Sequence, residues 1–175
     1  ARAAGVRDVI VVYDLETTIP NRHIVEFGAV LLEAGTWREV GSVESLVYSD
    51  RLTKRATDCH GITAHMLRDA PRFDAVADAI HAVLDGRVWM GYNTDRFDNV
   101  VVDACFRRLG REPPACRHSI DLYPLLTDTY GRRAGNMKLN SLMAHFRLGA
   151  ELHRAVDDCR QLIDVFSRRA RTRFL

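Results

Sequence analysis

Two hydrophobic periods alternate along the chain. Val9-Ile10-Val11-Val12-Tyr13 is an unbroken apolar run rich in β-branched residues. Such a run predicts a strand buried on both faces. It leads into Asp14-Leu15-Glu16-Thr17-Thr18. After a loop containing Pro20 and Asn21, residues 23–32 read as a second strand and Glu33-Ala34-Gly35 as a turn. A third strand ends near Leu46-Val47-Tyr48. Short turns between successive strands favour antiparallel pairing. Residues 49–72 are polar and irregular. The period then lengthens: Val76, Ile80, Val83 and Leu84 form one stripe of a helix over 74–85, stopped by Gly86. Residues 87–93 predict a short strand, and a helix follows from about 97 to 109 with Val101, Val102, Cys105 and Phe106 inward. Pro113-Pro114 breaks the chain, and Ser119-Ile120-Asp121-Leu122 reads as another short strand. Helical pattern returns at Leu139, Leu142, Met143 and Phe146, and a last helix starts near Arg154 and runs toward Arg169. Three antiparallel strands followed by alternating helix and strand predict an α/β fold with a central mixed sheet, its last two strands parallel, flanked by helices.

Composition narrows the picture only slightly. A length of 175 residues suits one domain with a real core, and 47% apolar and 27% charged residues are ordinary for a globular chain. No apolar run is long enough to span a bilayer, so no membrane association is expected. Ala1-Arg2-Ala3-Ala4-Gly5 is too short and lacks the apolar centre of a signal peptide. The chain opens without Met, which leaves room for flanking sequence. A net charge of +2 does not by itself argue for nucleic acid. Basic residues are 23 arginines against Lys54 and Lys138. Arginine suits bidentate phosphate contacts, but a GC-rich genome gives the same bias with no function attached, and that is the simpler account. Cys59, Cys105, Cys116 and Cys159 form no CxxC pair, which argues against zinc and for a reducing compartment, nucleus or cytoplasm.

The chemistry centres on acids at element ends. Asp14 and Glu16 are two apart, so their side chains share one face at the end of the first strand. Two like charges that close repel, and a divalent cation between them would remove the conflict; a strand that simply ends in polar turn residues explains them equally well. Asp98 follows Asn93-Thr94-Asp95-Arg96-Phe97 at a helix start, where the dipole alone favours an acid and Asp95 competes for the role. Asp158 shares a helix face with Ala155, Leu162 and Val165, whereas Asp157 shares one with Arg160, Gln161, Asp164 and Arg168. Asp158 therefore turns inward, where a carboxylate needs a partner.

Asp14-Leu15-Glu16-Thr17-Thr18, then Asn93 with Phe97-Asp98, then His153 with Asp158 five residues on, resembles the DEDD exonucleases of the histidine subclass, which have a ribonuclease H-like fold. The resemblance runs from Val9 to about Phe166 and includes His60-Gly61-Ile62-Thr63. Gly131-Arg132-Arg133-Ala134-Gly135-Asn136-Met137-Lys138 is similar to a stretch of the plant NEN exonucleases, linked to breakdown of nuclear contents in maturing sieve elements. Two positions depart from the family pattern: Ile19-Pro20 where Gly is frequent after the Thr pair, and Tyr92 where His is frequent before the Asn.

The resemblance implies one exonuclease domain over 1–175, with its core at roughly 8–170. It implies that Asp14, Glu16, Asp98 and Asp158 hold two divalent cations, and all-oxygen ligands select hard ions, Mg²⁺ or Mn²⁺. His153 would be the general base; apart from the resemblance, a histidine before a helix reads as a surface residue. Thr17 would reach the terminal 3′-hydroxyl and Ile62 the last base. Arg132, Arg133 and Lys138 would line a path for the phosphate backbone, or form a solvated loop. The implied partner is the 3′ end of single-stranded DNA or RNA, shortened to nucleoside 5′-monophosphates, with DNA favoured and nuclear DNA breakdown as the role. An exoribonuclease trimming small or structural RNA uses the same five residues. A non-catalytic nucleic-acid-binding module would have lost an acid or the histidine, and all five are present.

Overall fold

The computed structural model describes residues 8–172; the side chains of Arg132 and of residues 169–172 lie outside the described set. β1 (Val9–Thr17), β2 (Ile24–Glu33) and β3 (Glu39–Leu46) form an antiparallel meander. β4 (Val88–Gly91) and β5 (His118–Asp121) add in parallel, giving one five-stranded sheet of order β3-β2-β1-β4-β5. β1 is thus central, as its continuous apolar run predicts, and Val11, Val12 and Tyr13 are essentially inaccessible.

Alternation along β1 divides the core in two. Val11, Tyr13 and Leu15 point to one face, where α3 (Phe73–Leu84) and α4 (Asp98–Arg108) cover them with Ile80, Leu84, Val102 and Phe106. Val12 points to the other, against Leu126 of α5 (Leu122–Tyr130), Leu142 of α6 (Leu139–Phe146) and Leu162 of α7 (Ala155–Thr172). Asp14 and Glu16 continue the α7 side of the strand.

Two regions differ from the sequence expectation. Residues 49–72 are not irregular: α1 (Lys54–His60) and α2 (Ala64–Leu67) occupy much of the stretch. Each starts on a threonine, Thr53 or Thr63, whose hydroxyl accepts from the amide three residues on. α5 was also unanticipated; it begins directly after β5, with Asp121 accepting from the Tyr123 amide. Among the described residues no helix is long and apolar enough to cross a membrane, and the four cysteines are free thiols.

β2 fixes where α7 begins. In the register of the β1–β2 pair, Gly28 lies opposite Asp14 and Glu26 opposite Glu16. A Cβ at Gly28 would come within 2.5 Å of the Val156 amide nitrogen and 2.6 Å of the Ala155 carbonyl carbon. The helix start therefore rests on bare backbone. Gly28→Ala is expected to lose about 1–3 kcal/mol, the usual range for overpacking, measured by urea denaturation. Gly41→Ala on β3, where a Cβ meets nothing within 4 Å, serves as control and should stay within about 0.5 kcal/mol. Equal stability of the two variants would show that α7 can shift freely.

Candidate active site

The C-terminal end of β1, the start of α4 and the start of α7 open on one cleft of ≈ 590 Å³. Its lining includes Asp14, Glu16, Asp98, His153 and Asp158, contributed from three separate parts of the chain. Carboxylate oxygens of Asp14, Glu16 and Asp158 all lie within 4.8 Å of one another. Asp98, the first residue of α4, is only 3% exposed and faces the same cleft. It is not the helix cap, a position taken by Phe97.

Local structure brings each group there. Asp121 receives the amides of Asn93 at 2.8 Å and Asp95 at 3.3 Å, and so ties the β4–α4 loop to the end of β5. Asn93 takes a positive φ of 59° inside that loop. Gly91 permits the turn, because a Cβ there would meet the buried Thr94 side chain at 2.8 Å. Glu26, fully buried on β2, does the corresponding work for α7. One of its oxygens accepts from the Arg154 guanidinium, with Nε at 2.9 Å, and the other accepts from the Ala155 amide at 2.9 Å. The carboxylate thus caps α7 from a neighbouring strand, which satisfies an otherwise orphaned helix-end donor and matches the helix dipole. His153 precedes this anchor with φ 53°, a left-handed conformation that the flanking contacts hold. Asp157 faces outward toward Arg160, while Asp158 is 6% exposed, as the helix periodicity predicts.

The electrostatics are those of crowded acids. Burial and then the Asp98 and Glu16 charges push the Asp14 carboxyl far above the ordinary range. Burial, opposed by backbone amides, also raises Asp98. Glu16 is pushed up to about 8 by burial and then by Asp158. Asp158 rises to about 6, chiefly through burial and Glu151. Oδ1 of Asp98 and Oδ1 of Asp158 are buried without a hydrogen-bond partner. Hard oxygen donors, like charges and orphaned lone pairs together fit divalent cations, which would answer all three at once.

The remaining expected residues separate. Thr17, nearly buried, lines an adjoining cavity of ≈ 460 Å³ with Ile19, Pro20, Arg22 and Phe97. Lys138 lines the main cleft. Arg133 does not: its guanidinium donates to the carbonyls of Tyr130 at 3.2 Å and Thr129 at 2.5 Å, closing the end of α5. Ile62 is completely buried with Val25 and Leu67, so it packs inward rather than against a base. Its place is set by His60, whose Nδ1 accepts from the Ile62 amide. The Arg132 side chain lies outside the described set. Sequence reasoning missed Glu151, whose Oε1 lies 3.6 Å from His153 Nδ1; an acid two residues before the histidine was the available signal. Tyr92, noted as a departure from the family pattern, donates its hydroxyl to the Met137 carbonyl and so pins the 131–138 segment along the cleft, a contact the sequence did not show.

The sheet order brings these five residues to one cleft, as the resemblance to the DEDD exonucleases of the histidine subclass implies. A family model described as Exonuclease matches residues 11–166. The chain belongs to that exonuclease family. It is 40% identical over 174 residues to Protein NEN4 of Arabidopsis thaliana, covering 95% of this chain and 68% of that protein. It spans only 35% to 38% of the lengths of NEN1, NEN2 and NEN3 from the same plant. Its fold is similar to Escherichia coli Exonuclease I in complex with a dT13 oligonucleotide, with TM-score 0.78 and 22% identity, covering 90% of this chain and 40% of that one. It is also similar to the nuclease domain of 3′hExo, a DEDDh family member bound to rAMP, with TM-score 0.76 and 17% identity over 97% and 95% of the two chains.

The raised carboxyls make stability fall with pH. The folded state keeps protons that the unfolded state has already released, so it loses free energy as pH rises through the folded value. In chelator, the thermal midpoint is expected to drop between about pH 5 and pH 8, the interval between the ordinary and the raised Glu16 values. Glu16→Gln should flatten this drop, and Mn²⁺ should reverse it most at the high-pH end. A midpoint flat across that window in the unsubstituted protein would contradict the crowding. Separately, Glu26→Gln removes the buried charge from Arg154, which is one-third exposed and keeps Glu44 at 3.4 Å, and is expected to cost about 1–3 kcal/mol in a denaturant titration.

Proposed function

We propose that the protein removes nucleotides one at a time from the 3′ ends of single-stranded nucleic acid, DNA in preference to RNA, and releases nucleoside 5′-monophosphates. The observation that carries this reading is the convergence of Asp14, Glu16 and Asp158 within 4.8 Å of one another, beside Asp98 and His153. Asp14, Glu16, Asp98 and Asp158 would hold two ions, Mg²⁺ or Mn²⁺, with Asp14 as the shared ligand. When bound, such ions supply a Lewis acid for the scissile phosphate and stabilise charge on the attacking and leaving oxygens.

The chain's own groups do the rest. His153 accepts the proton of the attacking water at a ring nitrogen; its half-exposed position at the cleft keeps it in reach of solvent. Thr17 receives the terminal 3′-hydroxyl. Lys138, which lines the same cleft, offers its ammonium to the phosphate backbone. Single-strand preference is supported by the Exonuclease I structure with a dT13 oligonucleotide. We assign the protein to the nucleus or cytoplasm on its free thiols, and a part in nuclear DNA breakdown on its similarity to the NEN proteins.

A gel with end-labelled single-stranded DNA, duplex DNA and RNA of one sequence tests the reading directly. Single-stranded DNA should shorten from its 3′ end with Mg²⁺ or Mn²⁺ and stop in EDTA. Faster loss of RNA would reverse the sugar preference. Asp14→Ala and Asp158→Asn should abolish cleavage, and His153→Ala should slow it about 10²–10⁴-fold, the usual range for a general base. Asp157→Asn should cleave at nearly the original rate. A severe loss there, or activity retained without Asp158, would exchange the roles of the two neighbours.

A further inference from the structure

Glu151, His153 and Asp158 each offer one ligand atom, and these atoms lie within 4.8 Å of one another. The group shares Asp158 with the acidic cluster but differs from it in kind, because it brings in an imidazole nitrogen. Glu151 is held in place independently: its Oε2 accepts from the Asn140 amide at 3.0 Å, at the start of α6. Its Oε1 is left facing His153 Nδ1 at 3.6 Å, too long for a hydrogen bond. Two ligands on one tetrahedral zinc ion, each about 2.0–2.1 Å from the metal, stand about 3.3 Å apart. The Glu151–His153 separation is close to that spacing. The third ligand is aimed into the group by burial: Asp158 is 94% inaccessible, and its Oδ1 has no hydrogen-bond partner. Closing the group to that spacing needs a shift of at most about 1.5 Å, on the side of the half-exposed His153.

We propose that Glu151, His153 and Asp158 form a zinc site distinct from the all-oxygen site, and that Zn²⁺ bound there switches the nuclease off. One nitrogen and two carboxylate oxygens with an open fourth position are a zinc donor set, whereas Mg²⁺ has no preference for imidazole. The second oxygen of Glu151, bonded to the Asn140 amide, supplies the outer support that such ligands need. The inhibitory consequence rests on the nuclease reading; zinc binding does not. A metal on one ring nitrogen leaves the ring proton on the other, so His153 has no lone pair with which to accept a proton from water. Asp158 is withdrawn from the acidic cluster in the same event.

Calorimetric titration of Zn²⁺ into the protein in excess Mg²⁺ reads the site directly. Unsubstituted protein is expected to bind one Zn²⁺, and Glu151→Ala and His153→Ala each to weaken it by at least about tenfold. Glu151→Gln keeps an acceptor for the Asn140 amide and should weaken Zn²⁺ as Glu151→Ala does, which separates lost ligation from lost folding. Co²⁺ should report the same site by a visible ligand-field band that fades in these variants. Affinity equal in all three variants and the unsubstituted protein overturns the site. Sulfur-to-metal charge transfer in the Co²⁺ spectrum, showing capture by a thiol such as Cys59, also overturns it. Zinc binding that depends on Glu151 in a protein without nuclease activity would sustain the site and reject the nuclease reading. Nuclease activity unaffected by Zn²⁺ at saturation of the site would reject the switch.

Discussion

A single buried carboxylate, Glu26, decides whether the two halves of the active cleft meet. It sits near the start of β2 with no access to water and spends both oxygens on the start of α7. Buried charge is tolerated only when paired and fully hydrogen-bonded; here the partners are a guanidinium and a helix-end amide that would otherwise lack an acceptor. Gly28, two residues on, removes the side chain that would hold the helix off the sheet. Opposite these two residues in the strand register stand Glu16 and Asp14. The contact that docks the helix is therefore the contact that delivers Asp158 and His153 to the acids of β1. Structure and site are coupled through one pair of residues on a neighbouring strand.

The rest of the domain supports an arrangement that is locally unfavourable. Four carboxylates at a dry strand end repel, and each is pushed toward its neutral form by burial before any neighbour is counted. Nothing in local propensity rewards this. The cost is carried by two apolar cores on opposite faces of β1, which fix the backbone so firmly that the acids cannot move apart. Positive φ at Asn93 and His153 belongs to the same pattern: both residues border the cleft, Asn93 with its amide bonded to Asp121 and His153 directly before the Arg154–Glu26 pair. Such a site is poised for cations, since ion binding releases strain that the fold has imposed.

Some features were legible because they depend on neighbours in sequence. The inward turn of Asp158 against the outward turn of Asp157 follows from helical period alone. The centrality of β1 follows from its unbroken apolar run, and the meander from short turns. Others were hidden for physical reasons. α1 and α2 are short and hang on threonine caps, Thr53 and Thr63, with too few turns to show a stripe. Arg133 looked like a phosphate ligand because charge is visible in sequence, whereas its partners are carbonyls at the end of α5. Ile62 was expected at the last base on the resemblance alone, yet it fills a small core of its own with Val25 and Leu67.

The amino-acid sequence by itself determined the fold class and the family and singled out five residues that the structure brings to one cleft, since strand alternation, helical period and motif order are properties of short segments. What only the tertiary structure decided is which of those side chains share a volume. Glu151 beside His153, Glu26 beneath Arg154 and Tyr92 beneath Met137 are contacts between segments whose relative placement depends on register and docking. No local period encodes that placement, because it is set by which backbone atoms can approach, and at Gly28 by the absence of a single carbon.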